Sequence, residues 1–402
     1  MGKKTSIFSI AFMLGIYMCS GCATVRHPVP QDLITKAEVG GMEEIRVVGG
    51  MKDSALQRNL RASVKEETPG DYPVGADGVK VYPVLAISGG AANGAYGAGL
   101  LKGWSEEGSR PKFKAVTGVS TGAIVAPLVF LGKEYDAELE KLYTTMSTKD
   151  VATFKGIVKV LTGDSFLSNK PLEKQIKNML TDDLLAKVAA EHKKGRRLYV
   201  GTTNLDAQKF VVWDMGAIAV RGDKELFGKV LLASAAIPVV FPPVFIHVEA
   251  DGDKYDEMHV DGGTITQGFT LFHLVEPIKS EAKTMPEAGG LKIKAKYYII
   301  RNGYTTGVYK EVKDNIADIT GRAFDAIINS QGVGDTYRIY EYMKERGNDY
   351  NLAFIPGDFT PPAKEMFDPA QMKALFDKGY RDALKGYAWH KTPPGLESTE
   401  GK

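Results

Sequence analysis

Apolar and polar positions near the start of the main body of the chain predict two strand-then-helix units. Residues 79–87 are mostly apolar and predict a strand, whereas residues 113–117 alternate and predict a shorter one. Residues 94–107 follow the first strand with a helical pattern, and residues 122–130 begin a buried helix after the second. The first helix places four apolar positions on one face, at Ala95, Ala98, Leu101 and Trp104.

The same alternation of strands and helices continues to the end of the chain. Residues 136–191 predict helices joined by loops. The later predictions are a strand at 294–301, one or two helices within 312–345, a strand at 348–356 and an amphipathic helix at 369–385. Strands that alternate with helices predict an α/β fold with a central, mostly parallel sheet and helices on both faces. In such a sheet, functional groups collect at the carboxyl ends of the strands.

The N-terminal residues predict export. Lys3 and Lys4 precede an apolar stretch at residues 7–18, which is typical of a secretory signal over residues 1–21. The sequence Ser20-Gly21-Cys22 resembles a bacterial lipobox, in which the cysteine is lipidated and becomes the N-terminus. Ala23 follows it, and by the same resemblance we expect a lipid anchor in the outer membrane. An ordinary signal peptide with an incidental cysteine remains the alternative. No other stretch reaches the ~18 apolar residues that a bilayer span needs.

Residues 22–79 predict a partly extended tether or N-terminal extension. Four prolines interrupt this region, and a short charged helix is predicted from Asp53 to Glu67. At the other end of the chain, residues 392–402 are polar and predict a disordered tail.

Composition fits a folded, exported protein. The chain has 402 residues, of which 44% are hydrophobic, and this is enough for one large or two modest domains. Its two cysteines are Cys19 and Cys22, so removal of residues 1–21 leaves no pair for an internal disulfide. The same cleavage removes two lysines and no acid, which takes the net charge from +2 to 0. Nucleic-acid binding has no electrostatic support, and the oligomeric state stays open.

Three short motifs carry the candidate chemistry. The loop at residues 88–94 follows the first strand, and the N–H groups of Gly89 and Gly90 are open to a ligand oxygen, which suits an oxyanion hole. Ser120 lies between Gly118 and Gly122, at the turn from the second strand into its helix.

The small neighbours of Ser120 allow strand and helix to crowd together, and the N-terminus of the helix points N–H groups toward charge that develops beside the serine. The third motif is an aspartate before two glycines, Asp261-Gly262-Gly263.

Two nucleotide-binding interpretations of the glycine-rich loop fail. In a Walker-type phosphate loop, Lys and Ser or Thr would stand where this chain has Ala95 and Tyr96. In a dinucleotide fingerprint, the third glycine would stand at Lys102, one residue before Gly103. The sequence also has no metal-ligand spacing of His, Cys or carboxylates, so no metal or organic cofactor is expected.

Taken together, the three motifs resemble those of the patatin-like phospholipase family, in its bacterial branch. Further segments of this chain are similar to the family's central strands and to the stretch before its aspartate, at residues 203–206, 212–216 and 232–243. The resemblance implies a three-layer patatin-like fold, with a hydrolase domain at residues 80–275 and a C-terminal α/β extension at residues 276–391.

The resemblance also assigns the site residues and the activity. It implies that Ser120 is the nucleophile and Asp261 its base, in a catalytic dyad that needs no cofactor. It further implies an oxyanion hole formed by Gly89, Gly90 and Ala91. The glycines that flank the nucleophile are Gly118 and Gly122, and those that follow the aspartate are Gly262 and Gly263. The expected reaction is hydrolysis of lipid carboxylic esters, of the phospholipase A, lysophospholipase or esterase type, on membrane lipid or a lipid ester.

The chain departs from the family pattern in the oxyanion loop. Ala91 stands where the family usually has a third glycine, and Asn93 stands at its basic position, so a positive charge near the oxyanion is lost. Two alternatives therefore stay open. One is a Ser–His–Asp triad that uses His259 or His273, and the other is a non-catalytic lipid-binding or scaffold lipoprotein with a degenerate pocket.

Overall fold

The computed structural model describes residues 26–396, apart from residues 43, 50–54, 69, 157–162 and 271–291. The predicted signal peptide, Cys22, His273 and residues 397–402 therefore lie outside the described residues. No helix in the described part of the chain is both long enough and apolar enough to cross a bilayer.

The described strands form one large mixed sheet and one small hairpin. In chain order they are β1 (Arg46–Val48), β2 (Val79–Ile87), β3 (Ala115–Val119), β4 (Thr153–Phe154), β5 (Leu167–Ser168), β6 (Arg197–Asn204), β7 (Lys209–Asp214), β8 (Val244–Ala250), β9 (Asp253–Asp261), β10 (Lys292–Tyr304) and β11 (Asp349–Ile355).

The helices lie between these strands and after them. They are α1 (Ala55–Ala62), α2 (Gly94–Glu107), α3 (Thr121–Leu131), α4 (Asp136–Thr144), α5 (Thr148–Val151), α6 (Lys170–Met179), α7 (Asp182–Lys193), α8 (Met215–Val220), α9 (Lys224–Ser234), α10 (Ile316–Glu345) and α11 (Pro369–Leu384).

The centre of the large sheet is parallel, as the sequence predicts. Strands β6, β3, β2, β10 and β11 lie side by side in that order, and each pairs with its neighbour in parallel. Strand β7 then adds antiparallel to β6, and β1 adds antiparallel to β7 at the edge.

Helices cover both faces of this sheet because successive side chains of each strand point in opposite directions. Leu85 and Ile87 of β2 pack into the largest apolar cluster, together with helices α2, α3 and α11. Val84 and Ala86 of the same strand pack into a second cluster, against Ile339, Tyr342 and Met343 of α10. The layered α/β architecture with helices on both faces is therefore confirmed.

Strand β9 brings a distant part of the chain to the carboxyl end of β3. Along one edge of β6, residues up to Gly201 pair with β3, and the last of these pairs joins Val119 to Gly201. From Thr202 onward the same edge pairs with β9, where Thr202 faces Asp261. The end of β9 therefore lies next to the residue that follows β3, which is Ser120.

The described part of residues 22–79 packs onto the fold and is not a free tether. Strand β1 joins the sheet, and Leu56 and Leu60 of α1 are buried against its face. Glu67 accepts a hydrogen bond from the ammonium of buried Lys114 at 2.7 Å and also contacts Lys80. The local sequence pattern does not show these contacts, because they join residues that are far apart in the chain.

Candidate active site

Ser120 occupies a strained turn between β3 and α3. Its φ and ψ are 54° and −123°, so this side chain sits in a conformation that only glycine adopts easily. A Cβ atom on Gly122 would lie 2.4 Å from the Ile87 carbonyl oxygen, and one on Gly118 would lie 2.5 Å from the Gly122 oxygen. The two flanking glycines are therefore required for the close packing of strand, turn and helix, as the sequence predicts.

A serine that the sequence analysis does not single out supports this turn. The Ser234 hydroxyl accepts a hydrogen bond from the Ser120 N–H at 3.0 Å and donates one to the Gly201 carbonyl at 2.7 Å. Ser234 ends α9 and is fully buried, so it links the turn to the edge of β6. Its place in the resembling segment 232–243 was the only sequence signal that could have drawn attention to it.

Asp261 is the last residue of β9, beside Ser120 and buried. One carboxyl oxygen accepts a hydrogen bond from the Gly263 N–H at 2.7 Å. Burial raises the pKa of Asp261 to about 7, and interaction with the Ser120 hydroxyl and the Gly263 N–H opposes part of that rise. A carboxyl group with this pKa is a far better proton acceptor near neutral pH than one exposed to water.

Close contacts leave no room for a side chain at the two glycines after Asp261. A Cβ on Gly262 would lie 2.5 Å from the Gly201 carbonyl oxygen, and one on Gly263 would lie 2.4 Å from the Gln267 side-chain nitrogen. The turn after β9 is therefore pressed against β6 on one side and Gln267 on the other.

Of the three N–H groups of the glycine-rich loop that are predicted to bind an oxyanion, one already has an acceptor in the fold. The Gly89 N–H donates to the Gln267 carbonyl oxygen at 3.0 Å, so it is not free for a ligand. Among the described residues, no acceptor pairs with the N–H groups of Gly90 and Ala91. Ala91, with φ of 48°, lines the same cavity as Ser120. The prediction of Gly89 as a donor is therefore corrected, because a neighbouring carbonyl occupies its N–H.

Residues from the end of β10 hold this loop from behind. The Asn302 side chain donates to the Ser88 carbonyl at 3.0 Å, and the Asn302 N–H donates to the Ser88 hydroxyl at 2.8 Å. A Cβ on Gly90 would lie 2.1 Å from the Asn302 carbonyl oxygen. Only glycine therefore fits at Gly90.

The cavity in front of Ser120 is apolar. Among its lining residues, Ser120, Thr121 and Tyr143 carry hydroxyl groups and none carries a charge. The hydroxyls of Thr121 and Tyr143 are hydrogen-bonded to each other. The other lining residues are Ala91, Ile124, Leu142, Met146, Val151, Leu172, Ala235, Ile237, Phe241 and Phe367. A site of this composition suits a hydrocarbon chain more than a charged or sugar-like ligand.

Of the two histidine candidates for a triad, only His259 is described, and both of its ring nitrogens have partners other than the serine. One ring nitrogen lies 2.9 Å from the Thr202 hydroxyl, and the other lies 2.9 Å from the Glu257 carboxylate. Burial lowers the pKa of His259. Both ring nitrogens are thus engaged by partners other than Ser120 and Asp261.

The described residues contain no group of three or more His, Cys, Asp or Glu side chains that could hold a metal ion.

The fold and this geometry define an α/β protein with a serine at a strand-to-helix turn, a buried aspartate beside it and an apolar cavity in front. Residues 85–270 match the family model of patatin-like phospholipases, which supports lipid acyl hydrolysis at the level of the family. No curated protein matches the chain.

Two solved structures are similar to this chain only remotely. VipD from Legionella pneumophila is 14% identical with a TM-score of 0.38, and the match covers 76% of this chain and 67% of VipD. ExoU, in its complex with SpcU from the type III secretion system of Pseudomonas aeruginosa, is 12% identical with a TM-score of 0.30. That match covers 78% of this chain and 53% of the other, so the chain spans about half the length of ExoU.

Proposed function

We propose that this protein hydrolyses carboxylic esters of lipids, with Ser120 as nucleophile and Asp261 as general base. The observation that carries the proposal is the position of Ser120, which lies on a strained turn beside a buried carboxyl group and lines an apolar cavity. The family match at residues 85–270 supports the reaction class. The phospholipase A, lysophospholipase and esterase types all fit this geometry.

The reaction proceeds in two halves. Asp261 accepts the hydroxyl proton while the Ser120 oxygen forms a bond to the ester carbonyl carbon. The N–H groups of Gly90 and Ala91 stabilise the resulting oxyanion, and collapse of the intermediate releases the alcohol, which takes the proton from Asp261. Water then gives a proton to Asp261 and attacks the acyl-enzyme. The fatty acid leaves, and the proton returns to Ser120.

The surroundings of the cavity support a lipid as the acyl donor. Val239 lies between the lining residues Ile237 and Phe241, yet 57% of it is exposed. Its φ is 70°, which is unusual for a β-branched residue and marks a strained conformation. Met366, which precedes the lining residue Phe367, is also exposed. Exposed apolar side chains next to an apolar cavity favour contact with an apolar substrate.

Replacement of the nucleophile tests the proposal. We expect Ser120→Ala to abolish hydrolysis of p-nitrophenyl esters and covalent labelling by a fluorophosphonate probe, because both require the hydroxyl oxygen. The matched control is Ser105→Ala, since Ser105 donates to the Leu101 carbonyl within α2 and lies outside the cavity. Hydrolysis or labelling of the Ser120→Ala variant at the wild-type rate would reject Ser120.

The same experiment decides the alternative function. A non-catalytic lipid-binding protein would bind lipid in this cavity but would leave the probe unreacted in the wild type. The altered loop motivates this alternative, because Ala91 and Asn93 leave it without the basic residue of the family pattern.

We further propose that the protein is a lipid-anchored component of the bacterial envelope, exported by residues 1–21 and acylated at Cys22. The basic, apolar and small-residue pattern of the N-terminus supports this, and Ala23 favours the outer membrane.

A further inference from the structure

One buried carboxylate outside the family match contacts the main chain just after the Asp261 loop, at Gln267 and Gly268. Asp335 lies on α10 and is only 2% exposed. One of its carboxyl oxygens accepts hydrogen bonds from the Gln267 N–H at 2.7 Å and from the Gly268 N–H at 3.4 Å. Asp335 therefore holds the main chain at Gln267 and Gly268.

Gln267 contacts both loops at once. Its carbonyl oxygen accepts the Gly89 N–H at 3.0 Å, directly before the free N–H groups of Gly90 and Ala91. Its side-chain amide donates to the Gly263 carbonyl at 2.9 Å. Gly263 in turn donates its N–H to the Asp261 carboxylate at 2.7 Å. A single residue thus links the oxyanion loop to the loop that holds the base.

On the basis of the proposed function, we propose that Asp335 is a positioning residue. Through Gln267 it fixes the position of the oxyanion loop relative to the Asp261 loop. The carboxylate touches neither Ser120 nor the cavity, so its effect passes through the two main-chain N–H groups that it accepts. The C-terminal extension would therefore complete a site whose motifs all lie earlier in the chain.

The charges around Asp335 are consistent with this role. Burial raises the pKa of Asp335 to about 6, while Arg338, the Gln267 and Gly268 N–H groups and Arg301 oppose that rise. Arg338 approaches the other carboxyl oxygen at 3.2 Å from the same helix, and its side chain is mostly exposed. An oxygen that accepts two N–H groups is what the loop needs, and a neutral side-chain carbonyl can supply it equally well.

The test compares kcat and KM of four proteins on one soluble ester, well below their melting temperatures. We expect Asp335→Ala to lower kcat at least tenfold and to change KM by less than twofold, because misplaced donors and base act on the transition state. Asp335→Asn keeps an acceptor oxygen, so its kcat should stay within about threefold of the wild type. The control is Asp214→Ala, which removes another fully buried carboxylate that accepts a main-chain N–H, away from the cavity. It should lower Tm and leave kcat unchanged.

Hydrogen–deuterium exchange adds a readout that does not depend on hydrolysis. Peptides that cover residues 86–95 and 259–269 should exchange faster in Asp335→Ala than in the wild type and in Asp214→Ala. A wild type that hydrolyses no ester would defeat the proposed function. The exchange of these two peptides would still decide the positioning role.

The proposal is overturned if folded Asp335→Ala keeps kcat within threefold of the wild type, or if Asp214→Ala loses kcat to the same extent. Unchanged exchange in both peptides would overturn it as well. If Asp335→Ala does not fold, Gln267→Met decides, since it removes only the side-chain bond to Gly263. Reduced kcat at constant KM in that variant supports the linkage, and wild-type kcat rejects it.

Discussion

Ser120 and Asp261 are each in a state that lowers the stability of the folded protein. Ser120 adopts a positive φ with a side chain in place, and such a conformation costs on the order of 1–3 kcal/mol. Asp261 is buried, and the influences that oppose its raised pKa are a serine hydroxyl and one main-chain N–H. Packing elsewhere in the protein must compensate for both states. Destabilising features that persist side by side in this way are typical of a functional site.

The raised pKa of Asp261 predicts how stability depends on pH. The folded value is about 7, whereas an unfolded aspartate titrates near about 3.9. The folded state therefore holds this proton more tightly. The contribution of Asp261 to stability is fully present below about pH 4 and is lost as the pH rises through about 7. Asp261→Asn does not titrate, so its Tm relative to the wild type should be a few degrees higher at pH 8 than at pH 4.5.

Thermal melts of both proteins across this range measure the effect. The control is Asp325→Asn, which replaces an exposed carboxylate on α10. We expect the Tm difference to change with pH more for Asp261→Asn than for this exposed position. A Tm difference for Asp261→Asn that does not depend on pH would contradict burial of a titrating carboxyl group at this position.

At the scale of elements, local patterns were enough where the sequence neighbours of a residue decide its structure. The apolar face within residues 94–107 predicts the helix that α2 forms over that range. The 3.6-residue spacing at 369–385 likewise predicts α11. The edge strand β1 is not predicted, because its three residues are too few to show a pattern without the partner strand β7. Strand β8 is not predicted either, although its buried Ile246, Val248 and Ala250 alternate with exposed His247 and Glu249.

The residues of the candidate site also fall into those that local sequence reveals and those that it does not. Ser120, Asp261 and their glycines could be found because each motif is contiguous in sequence. Asn302 and Asp335 could not, because their contacts join residues 214 and 68 positions apart. Ser234 contacts a residue 114 positions away, and its place in the resembling segment 232–243 was its one sequence signal. The pairing of the Gly89 N–H with Gln267 has the same origin, and it is the reason why the predicted donor set was too large.

The packing of α2 against α11 gives a prediction for an element pair. A Cβ on Gly99 would lie 2.0 Å from the Phe376 carbonyl oxygen, so the two helix backbones nearly touch. Gly99→Ala should force the helices apart and lower the free energy of unfolding by about 1–3 kcal/mol, as overpacking does. Urea denaturation measures this change.

Gly321→Ala is the matched control for Gly99→Ala. Gly321 also lies inside a helix, α10, but nothing lies within 4 Å of its added Cβ. Alanine there should stabilise the protein by up to about 1 kcal/mol, since the backbone loses less entropy on folding. A similar change in both variants would show that helix propensity, and not close packing, decides the effect at Gly99.

At the scale of the whole molecule, the first and the last described segments of the chain are both tied to the central domain. Strand β10 pairs with β2 along its length, and α11 packs on α2, so the C-terminal extension belongs to the sheet and its helical layer. The tail also begins in contact with the fold, because the Tyr337 hydroxyl donates to the Pro394 carbonyl. The predicted disordered tail is thus packed over at least part of residues 392–396, and residues 397–402 are not described.

The position of Arg26 limits how far from a membrane the folded body would lie if Cys22 carried a lipid. Arg26 pairs with Asp206 at 2.7 Å and with Asp256 at 3.0 Å, which fastens the chain to the body of the protein. Only four residue steps separate Arg26 from Cys22, and a fully extended chain covers about 14 Å over that length. A lipid on Cys22 would therefore hold the folded body directly at the bilayer surface and not on a long tether.

Replacement of Cys22, the proposed lipidation site, tests this arrangement. Each buried CH₂ of an acyl chain adds about 0.8 kcal/mol, so two or more chains hold a protein on the bilayer. We expect Cys22→Ala to move the protein from the membrane fraction to the soluble fraction while kcat/KM on a soluble ester stays unchanged, because the site lies in the folded body. Hydrolysis of vesicle phospholipid should fall, since the enzyme must then reach the surface by diffusion.

Cys19→Ala is the matched control and should fractionate as the wild type does, because Cys19 lies within the predicted signal peptide. Wild-type protein recovered soluble, with no bound acyl chain by mass spectrometry, would reject the anchor while leaving the assignment of Ser120 untouched.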